Sequence, residues 1–257
     1  MLRLAVHHAS QRATALRGAL EQNLYRLLLA WVVIAGLASA LRISFSSVVG
    51  TSSGLGFVLP YILLVSAPAI SLMLALRWFA NGETMPQPSI RLSRLGCWRS
   101  VDIAEARRHP LYGANGFMVS LLVGMLVNIP FRAMEYFASM PALAGDVPAW
   151  LAVLRVMMTL DLVVMTSLYA IAFAAALRHA SIFPRLLLFV WILDMMMQVL
   201  TAQLVAAEPG LPAQVGLALG QLLETNVKKL AISVALWLPY LMLSKRVNVT
   251  YRLRVPA

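Results

Sequence analysis

The sequence predicts an all-α polytopic membrane protein of six transmembrane helices, an N-terminal hairpin followed by a four-helix bundle. Composition is the first observation behind this reading. Of 257 residues, 61% are hydrophobic and 12% charged, with a mean hydropathy of +0.80, whereas soluble domains run at roughly 45–50% apolar and 25% charged. The second is length: the apolar runs reach the ~20 residues a bilayer span requires. The third is where the charges sit. The chain carries a net charge of +11, and its basic residues gather in alternate connections, as the positive-inside rule demands.

Six spans are expected at about 27–48, 55–76, 113–134, 149–177, 185–206 and 227–243. They are preceded by a basic N-terminal segment, 1–26, whose arginines mixed with leucines and alanines suit an amphipathic surface helix. The first two spans form a hairpin, 27–76, joined by the Ser/Gly-rich "SSVVGTSSGLG". "LASA", 37–40, resembles a signal-peptidase site, but the apolar stretch continues past it, and no cleavage is expected. A basic loop follows, 77–112, with turn chemistry around Pro86, Pro88 and Pro110. Within it Ser100 is expected to cap a short surface helix, "VDIAEARR". The bundle, 113–244, opens near Tyr112. Its third span should kink or end at Pro130, and its fourth and fifth spans, joined by "RHASIFPR", should be antiparallel neighbours. The tail, 245–257, alternates Val247, Val249, Tyr251, Leu253 and Val255 with polar residues, which reads as an extended strand that either pairs with another edge or, the preferred reading, lies on the membrane. There is no convincing internal repeat.

The orientation follows from the charges. With the N-terminus inside, Arg3, Arg12, Arg17, Arg26, Arg77, Arg91, Arg94, Arg99, Arg107, Arg108, Arg178, Arg185, Lys245, Arg246, Arg252 and Arg254 all fall on one side, 16 of the 21 basic residues. Arg42, Arg132, Arg155, Lys228 and Lys229 lie elsewhere. Both termini are therefore expected in the cytoplasm, with Lys245, Arg246, Arg107, Arg108, Arg178 and Arg185 as orientation anchors that meet anionic lipid headgroups.

Candidate chemistry is confined to charges inside the bilayer, where each costs a few kcal/mol unless it meets a partner or a cavity. Arg155 and Asp161 lie on the fourth span and Asp194 on the fifth. Counted back from the tight turn, the two aspartates fall within roughly 10 Å of each other in depth. Gln198 lies on the face of Asp194, one turn on. Two readings of this group stand open. Either the carboxylates form a proton or cation site, or Arg155 neutralises an acid and the group is interhelical glue. Lys228 and Lys229, with Glu224 one turn earlier, read as snorkelling side chains or as an anion-attracting mouth. The "DMMMQ" run at 194–198 reads as packing, with metal transport the less favoured use.

Enzyme signatures are missing. There is no Gly-rich phosphate loop, Cys pair or His-Glu-x-x-His motif, and the lone Cys97 reads as a small apolar residue. His7, His8, His109 and His179 all fall outside the spans, and the Asn248-Val249-Thr250 sequon falls inside the cell. No catalytic residues, metal, cofactor or nucleic-acid partner is expected; the expected partners are the bilayer and other membrane proteins.

Three stretches carry a resemblance: "YGANGFMVSLLVG" with the later "PFR"; "AFAAALRHASIFPRLLLFVWILD"; and, most specific, "WLPYLMLSKRVNVTY". Over about 113–252 the chain resembles the bacterial inner-membrane family known as domain of unknown function 2569, although Phe117 stands where that family has a tryptophan. The resemblance implies a multi-pass inner-membrane protein, leaves residues 1–112 unexplained and transfers no site residues. Two functions are expected from the whole: a non-enzymatic scaffold or sensor of a membrane complex, or a small ion- or proton-coupled transporter using Asp161 and Asp194.

Overall fold

A computed structural model describes residues 2–45, 55–89, 96–140, 142 and 147–257. The chain is an all-α polytopic membrane protein. Its helices are α1 (Leu2–Ser44), α2 (Leu55–Trp78), α3 (Ile103–Arg108), α4 (Phe117–Ser139), α5 (Ala149–Leu177), α6 (Phe183–Ala206), α7 (Ala213–Leu243) and α8 (Lys245–Arg252), with two short strands, β1 (Trp98–Ser100) and β2 (Arg254–Pro256). Stretches in α1, α2, α4, α5 and α6 are each long and apolar enough to cross a membrane, and α7 joins them when counted with α8, from which it is bent by 70°.

α5 is the axis of the molecule, packed against α2, α4 and α6. Its last turns explain why: Ala170, Ala172, Ala174, Ala175 and Ala176 are all fully buried. Methyl side chains let neighbouring backbones approach closely, which is how helices associate when lipid supplies no hydrophobic drive. The N-terminal hairpin is not a separate body, since Leu72 and Ala75 of α2, and Phe79 just after it, belong to the same core as α4–α6. α1 is held more lightly. Trp31 donates its indole N–H to the Val65 carbonyl at 3.0 Å, and Arg42 caps the end of α4 through the Met140 carbonyl at 3.1 Å.

Several expectations are corrected. The N-terminal segment and the first span form one continuous helix, α1. The "SSVVGTSSGLG" turn, apart from its last two residues, lies outside the described residues, as do Arg91 and Arg94. Pro130 neither ends nor interrupts α4, which runs on to Ser139, because neighbouring helices can satisfy the backbone group a proline frees. α3 is capped by Asp102, whose carboxylate accepts from the Glu105 N–H at 2.7 Å, while Ser100 belongs to β1. The sixth span begins fourteen residues early, since α7 opens at Ala213.

The tail departs furthest from expectation. Residues 245–252 form a helix, and only Arg254–Pro256 is extended, pairing antiparallel with β1 in the register Trp98–Pro256, Arg99–Val255 and Ser100–Arg254. Ser244 starts the helix by accepting the Val247 N–H, and Asn248 meets Arg252 one turn on at 2.9 Å. Tyr251, fully buried, donates to the Ala176 carbonyl at 2.8 Å and packs on Phe183. The tail is thus a plug closing the end of the bundle where α5 meets α6. This is the basic end of the molecule, with Arg77, Arg99, Arg107, Arg108, Arg178, Arg185, Lys245, Arg246, Arg252 and Arg254 against Glu83, Asp102 and Glu105.

Candidate functional site

Three helices each bring an i, i+4 or i, i+8 polar pair to one place. α4 carries Asn128 and Arg132, α5 carries Asp161 and Tyr169, and α6 carries Asp194 and Gln198; these spacings keep each pair on one helical face. Measured along their helices from the basic end, Asp194, Arg132 and Asp161 lie at about 16, 22 and 24 Å, so the group sits well inside the ~30 Å hydrocarbon layer.

Arg132 is the centre. Its guanidinium donates to Asp161 Oδ2 at 2.7 Å and, from its other terminal nitrogen, to Asp194 Oδ2. Nε donates to Asn128 Oδ1 at 3.0 Å, and the guanidinium carbon stands 5.8 Å from the Tyr169 ring centre. Asp194, 2% exposed, also accepts from the Tyr169 hydroxyl at 3.1 Å and from Gln198 Nε2 at 2.8 Å. Asp161 is less well served: among the described residues its Oδ1 has no hydrogen-bond partner, and neither has Gln198 Oε1.

The group faces a half-open cavity of about 400 Å³ lined by residues of α4, α5, α6 and α7. Arg132, Asp161, Asp194, Gln198 and Asn128 line it, facing Leu219, Leu222, Leu223 and Leu230 of α7. At its exposed rim Lys229 of α7 donates to Glu135 of α4 at 2.7 Å, while Lys228 pairs with Glu224 at 2.5 Å along α7 itself. The ionisable lining is two cations, Arg132 and Lys229, against three carboxylates, Glu135, Asp161 and Asp194, which leaves one net negative charge.

Asp161, Asp194 and Gln198 are therefore brought together, as their spacing suggests. Arg155 is not part of the group. It lies on α5 with its carbonyl accepting from Thr159, and its charge acts on Tyr61 and Tyr136. The cation between the aspartates is Arg132. The third span expected at 113–134 already contained Arg132, but the kink or end expected at Pro130 left that residue out of the intramembrane charges; the signal was Asn128 four residues earlier in an otherwise apolar run.

Of the expected headgroup anchors, Arg108, Arg178 and Lys245 are exposed and Arg185 half-buried. Arg246 instead reaches the carbonyls of Leu111 and Gly113 at 3.3 Å each, and Arg107 pairs with Glu83. His179, buried in the α5–α6 turn at φ 53°, meets the other Glu83 oxygen at 2.8 Å. Burial pushes the Glu83 carboxyl up, but the hydrogen bonds and charges of His179 and Arg107 outweigh it and hold the group below its ordinary value. Tyr112, edge-on to the His179 ring, is pushed up to about 12 by burial and then by the Glu83 carboxylate. Gly82 permits this junction, since a Cβ there would stand 2.5 Å from the Arg178 carbonyl oxygen.

Comparison of the chain with protein-family models, with curated proteins and with solved structures gives no match.

Proposed function

We propose that this chain is a small ion- or proton-coupled transporter of the bacterial inner membrane, with both termini in the cytoplasm and Asp161 and Asp194 at the coupling site. The observation that carries this reading is the cavity: both carboxylates line one space inside the membrane and share a single guanidinium. Interhelical glue needs no cavity. Charge left over at that depth is expensive, so the site gains from taking up a proton or another cation. Arg132 then positions the carboxylates and gives each of its two arms to one helix of the α5–α6 pair. The kinship proposed from residues 113–252 agrees with this location, and the exposed arginines of the basic end suit anionic headgroups on the cytoplasmic face.

The test is solute uptake in vesicles holding the purified chain under an imposed proton gradient, across a panel of metabolites. Wild type should move at least one solute in a flux driven by the proton gradient, and Asp161→Asn with Asp194→Asn should abolish that flux. Equal fluxes from both proteins would remove the proposal.

A second reading, a non-enzymatic component of a membrane complex, is supported by α1. Among its described side chains from residue 15 onward only Ala35 and Ser39 are buried, while Leu27, Leu29, Val32, Val33, Ile34 and Leu37 all face outward. Vesicles without flux, together with a stable protein co-purifying through α1, would favour it.

A further inference from the structure

We infer that the cavity between α4, α5, α6 and α7 takes a small organic monocation, an ammonium group attached to an apolar body. The inference rests on the transport reading above and names its substrate class.

Charge selects the sign. Lys229 and Glu135 cancel at the rim, and Arg132 is already engaged by two carboxylates and Asn128. The remaining unit of charge is negative. An anion entering the cavity would meet an excess of carboxylate and no free cation, whereas a monocation leaves the lining neutral.

Hydrogen bonding selects the group. The buried atoms of the site left without partners, Asp161 Oδ1 and Gln198 Oε1, are both acceptors. A ligand that completes them must donate, and a primary ammonium brings three N–H donors and no acceptor. A bare metal ion is a poorer match, because among the described residues no group of three or more His, Cys, Asp or Glu side chains is placed to hold one.

Shape selects the rest. The wall opposite the carboxylates is Leu219, Leu222, Leu223 and Leu230, continued on α4 by Val127 and Phe131. An inorganic cation has no use for such a wall, while an alkyl or aryl body removes it from water. The volume of about 400 Å³ lies within the ~300–1,000 Å³ of ordinary small-molecule sites.

Proton and ammonium then neutralise the same charge, so each excludes the other. The ionisable groups that line the cavity with Asp161 are Arg132, Glu135 and Tyr136 from α4, Tyr169 on its own helix, Asp194 from α6 and Lys229 from α7.

Three probes of similar shape test this on the full chain in nanodiscs, by calorimetry: phenylethylammonium, neutral 2-phenylethanol and anionic 3-phenylpropionate. The ammonium should bind saturably and at least about tenfold more tightly than the alcohol, with the carboxylate not bound. Its affinity should fall as the pH falls, with heats that depend on the buffer as protons are released. Leu222→Trp fills the cavity without touching a charge and should remove binding; Asp161→Asn should bring ammonium and alcohol to similar affinities. The comparison of probes on wild type needs no substitution. Carboxylate bound as tightly as ammonium, or binding unaffected by Leu222→Trp, overturns the inference. If ammonium binds but the proton gradient drives no solute flux, the ligand class stands and the transport reading falls. If the gradient drives the flux of another solute while all three probes are ignored, the reading stands and the class falls.

Discussion

Arg132 stands where a charge is most costly to strand. Its planar fork reaches Asp161 on one helix and Asp194 on the next, a geometry that a lysine's single ammonium cannot reproduce. Arg132→Met leaves two carboxylates side by side with no counter-charge and should cost roughly 3–5 kcal/mol of stability. The triple variant with Asp161→Asn and Asp194→Asn should recover most of that loss, because it removes the stranded charge together with its partners. Unfolding of the purified chain in mixed micelles with increasing SDS measures both. The two aspartates were legible in the sequence, since acids in apolar helices flanking a tight turn have few places to go. Arg132 was not, although the expected span 113–134 contained it, because a proline two residues earlier is read locally as a kink or an end; α4 instead runs unbroken to Ser139 and brings Arg132 against α5 and α6.

At the scale of elements, the basic end is fastened by connections rather than by spans. Glu83 from the loop after α2 clamps His179 of the α5–α6 turn and Arg107 of α3, while α8 and β2 cover the same region. The Glu83 carboxyl is held below its ordinary value near 4.5 in the folded chain. Its contribution is therefore complete above that value and is lost as pH falls below it. The melting temperature of wild type should drop between about pH 5 and pH 3, and the drop should be smaller in Glu83→Gln, which starts lower and has no carboxylate to titrate there. Equal slopes for the two proteins would detach Glu83 from the clamp. The tail shows why this end could not be read in advance. Its alternation of valine and polar residues has the period of a strand, and β-branched residues favour one. Yet Ser244 at the N-cap and the Asn248–Arg252 pair one turn apart are local signals for a helix, and the seat for Tyr251 against Ala176 is a tertiary gain that outweighs the strand preference. That seat is not visible until α5 and α6 are in place.

For the whole molecule, the number and type of long helices follow from composition and apolar length, which no tertiary contact overrides in a bilayer. The asymmetry of basic charge is equally plain. It leads to an expected outcome for reporter fusions: green fluorescent protein should fluoresce at either terminus, and alkaline phosphatase should be active only when placed in the α6–α7 connection near Glu208. Phosphatase activity at the C-terminus would invert the orientation. α7 has a further consequence for how the protein is made. Its first half carries Gln221, Glu224, Asn226, Lys228 and Lys229, and its uncharged run is Leu230–Leu243, with Ser233 inside it, about 21 Å at ~1.5 Å per residue against a hydrocarbon layer of ~30 Å. A translocon sorting nascent segments by hydrophobicity accepts α1, α2, α4, α5 and α6 on their own merits and has weak grounds to retain α7. α7 must therefore enter the lipid leaning on α6, and biogenesis becomes the step at which polar substitutions on its cavity face are filtered, before any question of transport arises.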